Sequence, residues 1–121
     1  MSGTSSLSFP KRRRLTRTLE FERVKQQGYA ERGRLITLSV LAMKDAGPCR
    51  AGFITARAIG SPTIRNRIRR RLREIVRKHQ RDLREDFWIV LIARRDAANA
   101  SYRALEDEWL RLAKRTSILA L

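Results

Sequence analysis

Ile64-Arg65-Asn66-Arg67-Ile68-Arg69-Arg70-Arg71-Leu72-Arg73-Glu74 is the densest cationic stretch of this 121-residue chain. Six arginines fall within it, yet Ile64, Ile68, Leu72 and Ile75 keep the spacing of one helix face. A charge run in a disordered tail has no reason to hold an apolar register. The spacing therefore predicts a packed helix over about residues 63–79 that displays arginine. Val76 joins its apolar face, while Asn66, Arg70, Arg73 and Arg77 form the opposite stripe. Arg65 and Arg69 lie on one flank, Arg67 and Arg71 on the other. Folded helices of this kind mostly bind phosphate backbones. Pro62 suits the first turn, where its missing N–H costs little, and Glu74 is expected to pair with Lys78 at i,i+4.

Working outward, Gly60-Ser61-Pro62 breaks the chain before this helix. Upstream, residues 35–41 alternate Ile36, Leu38 and Val40 with Thr37 and Ser39, the period of a half-buried strand. Asp45-Ala46-Gly47-Pro48 reads as a turn, and residues 49–56 as a second strand forming an antiparallel hairpin with the first. Further upstream, Thr18 is placed to cap a helix over residues 19–27, with Phe21 and Val24 as its apolar edge and Gly28 as its stop. Downstream, Phe87-Trp88-Ile89-Val90-Leu91-Ile92-Ala93 is an unbroken apolar run, expected of a central strand covered on both faces. Reached through a helix, it is expected to run parallel to a neighbour. Ser101 is placed to cap a last helix on which Tyr102, Leu105, Trp109 and Leu112 share a face. The order is helix, strand, strand, helix, strand, helix: an α+β fold with one layer of helices on a mixed sheet. Residues 1–14 read as a basic, mobile extension and residues 15–121 as a single domain.

The chain carries 28 Lys and Arg against 12 Asp and Glu, a net charge of +16. Such self-repulsion favours a polyanionic partner. The single cysteine, Cys49, cannot form an internal disulfide and fits a reducing compartment. No run approaches the roughly 20 apolar residues of a membrane span. The basic run Lys11-Arg12-Arg13-Arg14 is followed by no apolar segment of a signal peptide. A soluble, cytoplasmic protein is expected.

Arg65-Asn66-Arg67 and the residues after it resemble the RNR signature of the bacterial ribonuclease P protein family. Gly52-Phe53-Ile54-Thr55-Ala56-Arg57-Ala58-Ile59-Gly60 resembles the glycine-led strand and basic turn that precede that signature. Leu19-Glu20-Phe21-Glu22-Arg23-Val24, ending at Gly28, is similar to the family's first helix. Residues 89–94 and 101–109 resemble its last strand and helix. The resemblance covers roughly residues 15–115.

The resemblance implies a small two-layer sandwich of about four strands and three helices, ribosomal protein S5 domain 2-like, with a left-handed strand–helix–strand crossover. General rules of chain connection would make that crossover right-handed. It also implies a role in ribonuclease P, which removes the 5′ leader of precursor tRNA. The RNA subunit would hold the active site and its Mg2+, and the protein would bind no cofactor of its own. The partners implied are ribonuclease P RNA, with one protein per catalytic RNA, and precursor tRNA. Carried over by position, Arg57, Arg65, Asn66, Arg67, Arg69, Arg70 and Arg73 would contact RNA. Guanidinium groups suit that role because they stay charged and can bridge phosphate oxygens. Any one of these arginines alone would read as a solvated helix face; six in this setting do not. The leader would lie in a cleft between the first helix and the sheet, with Phe21 and Lys25 as its residues. A base stacked on Phe21 would gain about 1–3 kcal/mol. The chain departs from the family here: Lys25 and Ser39 stand where aromatics are common, and Arg57-Ala58 where a Lys-Lys pair is usual. Those changes shift leader contact from stacking toward charge.

Nothing in the sequence points to protein-based catalysis. His79 is the only histidine and reads as a helix-end residue. Glu85-Asp86 and Glu106-Asp107-Glu108 read as solvated surface, with no partner motif at ligand spacing. Trp88 and Trp109 read as packing residues. The alternative functions are a structural ribosomal RNA-binding protein, which would share charge, size and architecture, and a DNA-binding regulator. For the latter, arginine on three sides of the helix exceeds what groove readout needs.

Overall fold

A computed structural model describes residues 10–120. Its elements are α1 (Thr18–Gln27), β1 (Tyr29–Arg32), β2 (Ile36–Ala42), β3 (Arg50–Ile54), α2 (Pro62–Lys78), β4 (Phe87–Ala93) and α3 (Tyr102–Arg115). Helix α2 starts at the expected proline, and Ser61 Oγ accepts the Ile64 N–H at 3.3 Å. Helix α3 starts in the same way, with Ser101 Oγ accepting the Ala104 N–H at 3.0 Å. Helix α1 does not follow the expectation for Thr18. Its cap residue is Arg17, and Glu20 Oε1 instead accepts the N–H groups of Thr16 and Arg17, both at 3.0 Å. A carboxylate at the third helical position reaches back to the N–H of the cap residue, the acidic half of a capping box. At the other end Gly28 is required: a Cβ there would lie 2.4 Å from the Val40 carbonyl oxygen.

The four strands form one mixed sheet in the order β1-β2-β4-β3. The expected hairpin between residues 35–41 and 49–56 does not exist. β4 separates the two strands, pairing antiparallel with β2 and parallel with β3. The strand that does form a hairpin with β2 is β1, where Tyr29 lies opposite Val40 and Arg32 opposite Thr37. The apolar run of β4 is central, as its composition required.

Pleating divides the sheet residues between two apolar clusters. Ile36, Leu38, Ala51, Ile89 and Leu91 face α2 and α3, meeting Ile68, Leu72, Ile75 and Val76 from one helix and Leu105, Trp109 and Leu112 from the other. Trp109 is fully buried there. The helical layer thus holds α2 and α3 only. Helix α1 packs on the opposite sheet face, where Val24, Leu15 and Val90 form a smaller buried cluster flanked by Phe21, Ile54, Trp88 and Ile92.

Residues 1–9 of the expected extension lie outside the described residues. Its last part is tied down: Lys11–Arg13 form a 3-10 turn, Arg13 Nε donates to the Cys49 carbonyl at 3.1 Å, and Arg14 bridges to Ala51. Cys49 is buried, which pushes its thiol pKa up to about 12.

Candidate RNA-binding surface

Burying Ile68, Leu72, Ile75 and Val76 fixes the roll of α2, so every arginine position follows from that one apolar stripe. Asn66, Arg67 and Arg70 are exposed, and Arg65, Arg69 and Arg73 are half-buried. One flank is held against β3: Arg69 Nη1 donates to Thr55 Oγ1 at 3.0 Å, and its other amino group meets Asn66 Oδ1. The other flank reaches the 3-10 turn Arg95–Asn99, where Arg67 donates to the Ala98 carbonyl at 3.5 Å. Arg71 Nη1 donates to the Ala100 carbonyl at 3.1 Å. Arg57 is exposed on the 3-10 turn Arg57–Ile59, just before the helix.

None of the ion pairs among the described residues involves Arg57, Arg65, Arg67, Arg69, Arg70, Arg71 or Arg73. Instead the cations crowd one another. Burial lowers the pKa of Arg73, and the nearby guanidinium groups of Arg14, Arg69 and Arg70 lower it further. Arg14 is a member of this surface that the sequence reading left in the mobile extension. The Nε of Arg65 is buried and has no hydrogen-bond partner.

Toward its C-terminus the same helix is neutralised. Arg77 pairs with Glu74, replacing the expected Glu74–Lys78 pair, because i,i+3 brings the guanidinium fork onto the carboxylate. Lys78 Nζ lies 3.0 Å from Glu106 of α3, and His79 Nε2 lies 2.7 Å from the same oxygen. The acidic run of α3 is therefore not plain solvated surface. Glu106 holds the end of α2, and Glu108 is buried at 2% exposure. Glu108 accepts the N–H groups of Arg34, Leu35 and Ile36 at 3.1, 2.7 and 2.7 Å, which shapes the β1–β2 turn. Asp86 serves another turn, accepting the Gly47 N–H at 2.9 Å.

On the opposite sheet face, a cleft of about 110 Å³ runs between α1 and the strands. Phe21, Glu22 and Lys25 form its wall, and Ser39, Ile54, Val90 and Ile92 its floor. Phe21 is half-buried, with its ring lying over Gly52, where a Cβ would come within 2.4 Å of it. Lys25 is exposed at the rim. The structure brings Phe21, Lys25 and Ser39 into one depression, with a single aromatic among them. Beyond the cleft, Trp88 is half-buried beneath the guanidinium groups of Arg50 and Arg23, at 5.4 and 5.9 Å from its ring centre. Among the described residues no group of three or more His, Cys, Asp or Glu side chains converges. No helix of the described residues is long and apolar enough to cross a membrane.

A family model described as Ribonuclease P matches residues 9–117. A ribonuclease P protein component from Symbiobacterium thermophilum is 35% identical over 106 residues, spanning 88% of this chain and 92% of the relative. One from Acidothermus cellulolyticus is 40% identical over 105 residues, spanning 85% and 87%. Among solved structures, the RNase P protein of Staphylococcus aureus superimposes with a TM-score of 0.83 at 20% identity, covering 88% of this chain and 97% of that one. That of Thermotoga maritima gives 0.76 at 24% identity, covering 84% and 96%. Superposition this close requires the β3–α2–β4 crossover to share their hand, the left-handed one that the resemblance implies.

Proposed function

The chain belongs to the ribonuclease P protein family, and from that premise we propose that it is the protein component of a bacterial ribonuclease P. It binds the catalytic RNA subunit through the α2 surface and holds the 5′ leader of precursor tRNA in the α1 cleft. The observation that carries this reading is the arginine surface itself. Among the described residues, the seven arginines on and just before α2 form no ion pair with a carboxylate. Phosphate oxygens would supply the counter-charge they lack. The cleft supports the leader assignment by its shape: an apolar floor, one aromatic wall and a lysine at the rim suit a splayed-out base followed by its phosphate.

In this reading the chemistry belongs to the RNA and its Mg2+, with one protein per catalytic RNA, in the cytoplasm. The protein contributes binding and orientation. The deciding experiment is cleavage of precursor tRNA at low magnesium by a cognate ribonuclease P RNA alone, the protein alone and the two together. Cleavage at the mature 5′ end only by the mixture is expected. A protein that adds nothing to its cognate RNA sinks the reading, and cleavage by protein alone contradicts the assignment of chemistry to the RNA.

A further inference from the structure

Helix α1 has ten residues, too few to be stable alone, and Val24 is its single buried residue. Its position over the sheet must come from a few tertiary ties. At its C-terminal end the close contact of Gly28 with β2 fixes it. Toward its N-terminal end Phe21 rests on Gly52, and the polar tie is one carboxylate. Glu20 Oε1 closes the backbone of Thr16 and Arg17, while Oε2 accepts from Arg50 Nη1 of β3 at 2.9 Å. The two side chains are only 15% and 27% exposed. Arg50 is itself held flat: its ring neighbour is Trp88 at 5.4 Å, and its Nη2 donates to the Arg14 carbonyl at 2.9 Å. Neither residue lines the cleft, but Phe21, Glu22 and Lys25 follow Glu20 within little more than a turn.

We propose that Glu20 and Arg50 are positioning residues that set the height of α1 over the sheet, and so the width of the leader cleft. This rests on the leader assignment made above. With the tie cut, α1 remains anchored by Gly28, Val24 and the Phe21 ring on Gly52, and its first turn shifts over the sheet. The arginine surface of α2 is not expected to follow. Arg14 stays seated by the Leu15 N–H, which donates to the Ala51 carbonyl at 2.8 Å, and by the burial of Leu15. Glu20→Gln is the informative change, because its amide oxygen still accepts from the backbone while its NH2 opposes the Arg50 donor. Arg50→Met removes the other partner, and Arg50→Lys keeps the charge with one point of contact.

The test is steady-state cleavage by the reconstituted holoenzyme on two precursor tRNAs, one with a long leader and one with a single-nucleotide leader. For Glu20→Gln and Arg50→Met the KM of the long-leader substrate should rise about three- to tenfold with kcat unchanged. The short-leader substrate should be unaffected, Arg50→Lys should recover part of the loss, and the double variant should be no worse than the weaker single one. Affinity for the RNA subunit should stay at the wild-type value, while Trp88 emission changes as its cation neighbour leaves. Equal losses on both substrates, or no loss on either, overturn the proposal. So does a fall in RNA-subunit affinity, which would mark a general structural defect. If the wild-type holoenzyme does not distinguish the two leaders, the leader reading itself fails and this proposal with it.

Discussion

The two ends of α2 treat their cations in opposite ways: six arginines crowd the stretch from Arg65 to Arg73, and Arg77 and Lys78 stand near its C-terminus. Among the described residues no ion pair involves an arginine from Arg65 to Arg73, whereas Arg77 pairs with Glu74 and Lys78 with Glu106. The apolar stripe is continuous through both halves, so packing does not explain the difference. Neutralised cations fasten a helix to its neighbours, and crowded ones raise the energy of the free protein. The C-terminal half belongs to the fold, and in the function proposed above the N-terminal half meets a partner that brings its own negative charge.

Replacing Arg65, Arg67 and Arg70 together by Ala should produce the largest effect. Affinity for ribonuclease P RNA is expected to fall about 100-fold, with the slope of log K against log salt shallower by about two. Unfolding should stay unchanged or shift slightly upward because self-repulsion is relieved. A triple variant that binds RNA normally in a salt titration would erase the contrast between the halves. Adding an aromatic where the family often has one, Lys25→Phe, exchanges the rim charge for about 1–3 kcal/mol of stacking. It should lower the KM of long-leader substrates by a net factor of about five while making it less salt-dependent. Leader-length kinetics would show whether the cleft or α2 alone governs substrate affinity. The matched change at the other end, Arg77→Ala with Lys78→Ala, should alter RNA affinity less than about threefold. It should lower stability only slightly in denaturant unfolding, as exposed pairs do.

The smallest effect expected is in acid. The hydrogen bond with His79 lowers the pKa of Glu106 against the opposing effect of burial, and Lys78 assists. The bond from Arg77 lowers that of Glu74. A depressed carboxylate contributes stability that is fully present above its unfolded pKa, about 4.3, and is lost as pH falls through the lower folded value. Glu106→Gln should therefore flatten the decline of Tm below about pH 4.5 by about 2–4 °C. A Tm profile identical to wild type would show that the neutralised half gains nothing from Glu106.

Much of this was legible in the sequence because helices announce themselves locally. The 3.6-residue register of Ile64, Ile68, Leu72 and Ile75, Pro62 at a helix start and Ser101 as a cap are all relations within a few residues, and each appears in the structure. Strand pairing is not local. Neighbours in sequence usually pair, and β2 and β3 break that habit because β4 enters between them. β1 carries no periodic signal, since Tyr-Ala-Glu-Arg is an edge strand with mostly exposed side chains. Glu108 looked like one more surface acid. Its burial depends on a turn 73 residues away along the chain, at Leu35. Of the cleft, Phe21 and Lys25 could be placed from the resemblance. The Glu20–Arg50 tie could not, because its partners lie 30 residues apart with no pattern linking them.

β4 occupies the centre of the sheet and is the last strand to be synthesised. A nascent chain that has not yet reached Phe87 already carries all of α2, but its only possible sheet is the β1–β2 hairpin, and two strands alone are marginal in water. β3 has no partner until β4 emerges, and α2 has no floor to lie on. Translation therefore delivers the arginine helix to a crowded, RNA-rich surrounding before it delivers the strand that folds it. Between the emergence of Arg73 and that of Ala93, the cations exist without the sheet that sets their spacing.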